Sequence, residues 1–89
     1  MADTAKKKVT IKAGETELNF DVGIGAFNKF QNDFLPQNKV APSENFLTAC
    51  IKKGQEEALI DLCDKGLSIE LASLVAAEFK PEIELTVKK

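Results

Sequence analysis

Histidine, arginine, tryptophan and tyrosine are all missing from this 89-residue sequence, and it carries only two cysteines and one methionine. Without histidine there is no Ser–His or Cys–His pair and no imidazole metal ligand, and the usual acid–base group near neutral pH is absent. Two cysteines alone cannot complete a zinc site of the Cys/His type. Without arginine the chain lacks the planar, bidentate group that reads guanine, phosphate and carboxylate. All twelve cations are lysines, and fourteen carboxylates leave a formal charge of −2. A general nucleic-acid binder needs a dense basic face, which this balance does not supply. The Lys6-Lys7-Lys8 and Lys88-Lys89 runs read as solvated ends. No apolar run approaches the roughly 20 residues of a membrane span, and no hydrophobic stretch follows the N-terminal lysines as in a secretory signal. These features point to the cytoplasm.

What is present is ordinary globular material, 44% hydrophobic and 29% charged, with six phenylalanines as purely apolar aromatic bulk. The length suits one domain. Residues 1–6 read as a flexible tail and residues 7–89 as a single α+β domain. From Lys8 to Lys12 the pattern alternates, with Val9 and Ile11 on one face. After the turn signal Ala13-Gly14-Glu15-Thr16 it alternates again, with Leu18, Phe20 and Val22 on one face. Two period-2 runs around a glycine turn predict a β-hairpin.

Helical spacing follows. Ile24, Phe27, Phe30, Phe34 and Leu35 form one apolar stripe, which Pro36 must end because the residue before a proline is pushed out of the α region. Residues 36–42 read as a loop with a proline at each end. Ser43 is a candidate N-cap for a second helix carrying Phe46, Leu47, Cys50 and Ile51, stopped at Lys52-Lys53-Gly54. A third helix spans about Gln55 to Lys65, with Leu59, Leu62 and Cys63 inward and Gly66 closing it. Ser68 is a candidate cap for a fourth, with Ile69, Ala72, Val75, Ala76 and Phe79 on one face and Lys80-Pro81 at its end. Finally Ile83, Leu85 and Val87 alternate with Glu82, Glu84 and Thr86, predicting a C-terminal strand. Pairing that strand with the hairpin gives a small antiparallel sheet packed against three to four helices, a two-layer α+β fold.

A search for chemistry along this frame finds none. Gly23-Ile24-Gly25-Ala26-Phe27-Asn28 lacks the third glycine of a dinucleotide fingerprint and follows a hairpin strand instead of opening a βαβ unit. Glu56-Glu57 and the pair Asp61 and Asp64 lie on helix surfaces among lysines, as solvated faces do. Cys50 and Cys63 sit in apolar helical stretches, where a free thiol behaves as a small hydrophobe. A disulfide between them stays open at this level, although two reduced thiols are the favoured reading. No catalytic residue, cofactor or metal set emerges, and the chain reads as a binder, not an enzyme. The candidate surface is apolar: Phe27, Phe30, Phe34, Leu35, Phe46 and Leu47, with Val40 in the proline-bounded loop between them. The competing reading places these side chains in the core.

The segments ELNFDV, FNKFQNDFLP with Asn28 and Asn32, NKVAPSENFL, and Lys80-Pro81-Glu82-Ile83-Glu84 through Lys88-Lys89 run in the same order as in a known family. The sequence resembles the small tail assembly chaperones of long-tailed bacteriophages and prophages, over nearly its whole length. The hairpin opening departs from the largely helical chaperones that share this role. The resemblance implies a protein of the bacterial host cytoplasm that coats the long helical tape-measure protein and keeps it soluble. It also implies help in recruiting the major tail-tube protein, absence from the mature virion, and association of several copies along one client. A phage-encoded inhibitor or adaptor of a host protein, and a minor structural tail subunit, are the alternative readings.

Overall fold

The computed structural model describes residues 6–80 and 86–88. Strands β1 (Lys7–Ala13) and β2 (Thr16–Val22) are followed by helices α1 (Ile24–Asp33), α2 (Val40–Cys50), α3 (Glu56–Asp64) and α4 (Ser68–Phe79). The predicted α+β class holds, with four helices and, among the described residues, a two-stranded sheet. Most of the predicted C-terminal strand (Ile83, Leu85 and its neighbours) falls outside the described residues, as do residues 1–5 of the predicted tail. Residues 86–88 are described and are not in a strand. Val87 is exposed and does not face the core as its alternation predicts.

The hairpin pairs Val9 with Phe20 and Ile11 with Leu18, so the apolar set of both strands falls on one face. Its two-residue turn needs a positive φ at the first central position, which Gly14 supplies at +63°. Asn19 turns its N–H and C=O away from β1, so Thr10 and Asn19 form a non-hydrogen-bonded pair, where side chains come closest. The Thr10 hydroxyl donates to Asn19 Oδ1 at 2.7 Å. The outer edge of β2 is covered by the segment between α2 and α3. Lys52 N–H donates to the Asn19 carbonyl at 2.8 Å. The Gln55 amide then acts as a short piece of strand: its Oε1 accepts from Asn19 N–H at 2.8 Å and its Nε2 donates to the Glu17 carbonyl at 3.2 Å.

The helices cover the inner sheet face, α4 lying against β1 and α2 against β2. Leu18, Phe20, Val22, Leu47, Ala72 and Val75 form the fully buried centre. Two predicted caps turn out otherwise. Helix α2 starts three residues earlier than Ser43, with Pro42 inside its first turn. A proline is tolerated there because the first N–H groups of a helix have no intrahelical partner. Ser43 is therefore interior, its N–H donating to the Lys39 carbonyl at 3.2 Å and its side chain fully buried. Ser68 is the first residue of α4, after Leu67 as cap, and its hydroxyl instead donates to Glu44 Oε2 at 2.9 Å, tying α4 to α2. Helix α1 ends at Asp33, so Leu35 lies outside it and is 44% exposed, and Ile24 at the other end is also exposed. Neither joins the buried stripe that the spacing predicts.

Candidate protein-binding site

Helix α1 begins after Gly23, whose carbonyl accepts from Phe27 N–H at 3.1 Å, and closes with Phe34 N–H donating to the Phe30 carbonyl at 3.0 Å. Beyond it Pro36, whose ring presets φ, forms a tight turn with Gln37. Leu35 and Asn38 exchange two backbone hydrogen bonds across that turn, of 3.2 and 3.0 Å. The proline-bounded loop is thus an ordered corner.

The phenylalanines form two contacts chains of ring against ring. Phe30 stacks on Phe46 with centroids 4.6 Å apart and meets Phe34 at 5.2 Å, while Phe27 meets Phe79 of α4 at 4.9 Å. Such offset and tilted pairs tie α1 to α2 and to α4 beyond what area burial supplies. Lys39 Nζ lies 5.7 Å from the Phe34 centroid, within cation–π range.

Burial sorts the seven candidate residues. Phe27, Phe30, Phe46 and Leu47 belong to the core, whereas Phe34 is half-buried and Leu35 and Val40 are exposed, Val40 at 52%. A large part of the phenylalanine payload therefore fills the interior. What reaches the surface is a groove of about 370 Å³ between α1 and α4. One wall is Phe27, Phe30, Gln31 and Phe34; the other is Ser73, Ala76, Ala77 and Lys80. Both walls repeat as i, i+3, i+4, i+7, so each is one helical face closed by its C-cap residue, Phe34 or Lys80. Phe46, Leu47, Leu35 and Val40 do not line it.

The α4 wall is the part that the sequence reading misses, and its signal was available. Among the twelve residues of α4 only Glu70 and Glu78 are charged. A helix apolar nearly all round belongs in an interior or against a partner, yet α4 exposes Ser73, Leu74 and Ala77. The groove carries one charged lining residue, Lys80, and no carboxylate.

The remaining reactive groups are quiet. Cys50 is buried and free, and Cys63 is half-buried and free. Burial pushes the Cys50 thiol up to about 11, an effect that nearby Lys6 partly opposes. Such a thiol is a core hydrophobe at neutral pH. Among the described residues no group of three or more Cys, Asp and Glu side chains is placed to hold a metal ion, and no helix is long and apolar enough to cross a membrane.

Between α1 and α4 this small α+β domain leaves an apolar groove open. The sequence profile of the phage tail assembly chaperones matches residues 9–89. The chain is also similar to a protein of Haemophilus phage HP1 (strain HP1c1) described as an uncharacterized 11.3 kDa protein in the lys 3' region. The two are 33% identical over 84 residues, covering 93% of this chain and 82% of the phage HP1 protein. No solved structure matches. The chain belongs to the phage tail assembly chaperone family.

Proposed function

We infer that this chaperone binds the tape-measure protein of its phage in the host cytoplasm, keeps it soluble, and assists tail-tube assembly before leaving the particle. Client helices seat in the groove between α1 and α4. The observation that carries this reading is the matched pair of walls: two facing rows with i, i+3, i+4, i+7 spacing, the α1 row carrying Phe27, Phe30 and Phe34. Two turns of an amphipathic helix, about 11 Å long, present apolar side chains at the same spacing. Filling the groove with two or three leucine-sized side chains contributes about 1.5–3 kcal/mol for each one fully buried.

Charge selects among such helices. Lys80 lines the groove and Lys39 stands over Phe34 at its α1 end. The favoured client segment therefore has carboxylates bordering its apolar stripe. Phe34 is the most open of the phenylalanines that line the groove, and the exposed Leu35, next along the chain, and Val40, at the start of α2, add apolar surface beyond it. Phe46 and Leu47 support the wall from behind.

Co-expression tests the reading. The tape-measure protein of the same phage stays in the soluble fraction with the wild-type chain and falls into the pellet without it, and purified virions lack the chain. A tape-measure protein equally soluble in both cases would sink the proposal, and recovery of the chain from finished virions would make it a structural subunit.

A further inference from the structure

We propose that the outer edge of β1 is a second binding site, which takes an extended segment of a partner protein in which acidic and apolar residues alternate. The pairing register determines what that edge offers. Thr10 and Asn19 form a non-hydrogen-bonded pair, and such pairs recur at every second residue of an antiparallel ladder, so Lys8 with Asp21 and Lys12 with Glu17 are of the same kind. The N–H and C=O groups of Lys8, Thr10 and Lys12 therefore point away from β2. On the far edge of the hairpin the matching groups of Asn19 and the Glu17 carbonyl are taken by Lys52 and Gln55. On the β1 edge no backbone hydrogen bond from elsewhere among the described residues reaches Lys8, Thr10 or Lys12, and all three are exposed. Such an edge is a template for one more strand.

Beside that edge lies an apolar groove of about 140 Å³, with Ile11 and Ala13 of β1 on one side and Leu67, Leu71 and Leu74 on the other. None of its lining residues comes from β2 or α2, so it opens on the flank of β1 that α4 shares. Leu67 is 40% exposed and Leu74 54% exposed, two leucines left at the surface beside an apolar hollow. Side chains alternate along a strand, so every second residue of an added strand turns toward these leucines while the others lie on the outer face of the sheet.

Charge defines the outward residues. On that face β2 presents Glu17, Asn19 and Asp21, and β1 presents Lys8, Thr10 and Lys12. Opposite charges facing each other across strands stabilise a sheet and like charges destabilise it, so the row added beside the lysines is acidic. Glu70 on the α4 wall of the groove disfavours a carboxylate turned inward, so the inward row is apolar. The same lysines oppose pairing of β1 with β1 of another copy. This site differs in kind from the groove between α1 and α4: it takes an extended chain, on a different flank of α4, and both can be filled at once.

The probe is the capped hexapeptide Glu-Val-Glu-Leu-Glu-Val, titrated into the isotopically labelled full chain and followed by amide NMR, so the outcome is independent of the client reading. The peptide shifts the Thr10 and Lys12 amides below about 1 mM and slows their exchange, leaving the Phe34 and Ala77 amides unmoved. Replacing its glutamates by lysines weakens binding at least about tenfold. Methylating alternate peptide nitrogens gives two variants: the one methylated toward β1 loses binding, and the one methylated toward solvent keeps it within about threefold. Thr10→Pro removes an N–H that β2 does not use, a change that edge strands tolerate, and abolishes binding. Leu74→Glu weakens it at least about tenfold. Circular dichroism melts confirm that both variants are folded. No shift at about 1 mM, equal effects of the two methylation patterns, a lysine peptide that binds as well, or a folded variant that binds like the wild type overturns the proposal. Slow exchange at the Thr10 amide before peptide is added also overturns it. The edge is then already filled, by the chain's own C-terminal residues where the protection is independent of concentration and by a second copy where it is not.

Discussion

Replacing Ala77 by glutamate separates client binding from folding. Ala77 is exposed, sits on the solvent side of α4, and lines the groove between α1 and α4 one turn before Lys80. In the free protein the change costs only the helix-propensity difference, under about 0.5 kcal/mol. In a domain of this size that moves Tm by less than about 4 °C. Once a client helix covers the groove, the new carboxylate loses its water. Desolvating an unpaired ion costs several kcal/mol; Lys80, three residues on, offsets part of this, and the carboxylates expected on the client add repulsion. A net loss of at least about 2 kcal/mol corresponds to roughly thirtyfold weaker binding. The assay is biosensor titration of the chaperone over immobilised soluble segments of the tape-measure protein. Thr48→Glu, the same charge change at an exposed position of α2 outside the groove, is the control and binds like the wild type. A folded Ala77→Glu protein with unchanged affinity refutes the placement of the client between α1 and α4.

Three further outcomes follow from the interior. Phe46→Ala removes a ring that is 3% exposed and stacked on Phe30, and urea unfolding should show a loss of about 3–5 kcal/mol; Phe46 is a fold determinant and unsuitable as a binding probe. Gln55→Ala leaves the part-buried Asn19 N–H and the exposed Glu17 carbonyl without their side-chain partners, costing about 0.5–1.5 kcal/mol, and hydrogen exchange at the Asn19 amide should accelerate well before global unfolding. The raised Cys50 thiol gives a signed pH effect: between its ordinary range near 8.5 and about 11, the unfolded chain releases a proton that the folded chain keeps. Stability is therefore complete below the lower value and falls as pH rises through the window, by about 3 kcal/mol at most. Subtracting the stability curve of Cys50→Ala isolates this slope, and a flat difference between pH 8.5 and 11 contradicts the assigned burial.

Local pattern and tertiary packing contribute differently to what is known of this chain. The period-2 runs around Gly14 determine the hairpin and its register, because a one-residue slip would turn Val9, Ile11, Leu18 and Phe20 to solvent. Helical spacing determines the existence of all four helices, and the missing histidine and arginine remove whole classes of chemistry whatever the fold. Boundaries were less legible. Ser43 looks like a cap, but Pro42 fits equally well within a first turn, and packing of Pro42 and Ser43 into the core decides between the two. The groove between α1 and α4 was least legible. Spacing shows that Phe30 and Phe34 share a helix face with Phe27, but only the packing of α2, which sets Phe46 against Phe30, decides that Phe30 is covered while Phe34 remains half open. In the same way α4 reads as one amphipathic stripe, whereas its neighbours α1 and β1 leave two further flanks uncovered. Periodicity is a property of one element and so survives in the sequence. A groove is the space between two elements distant along the chain, and it exists only after they have packed.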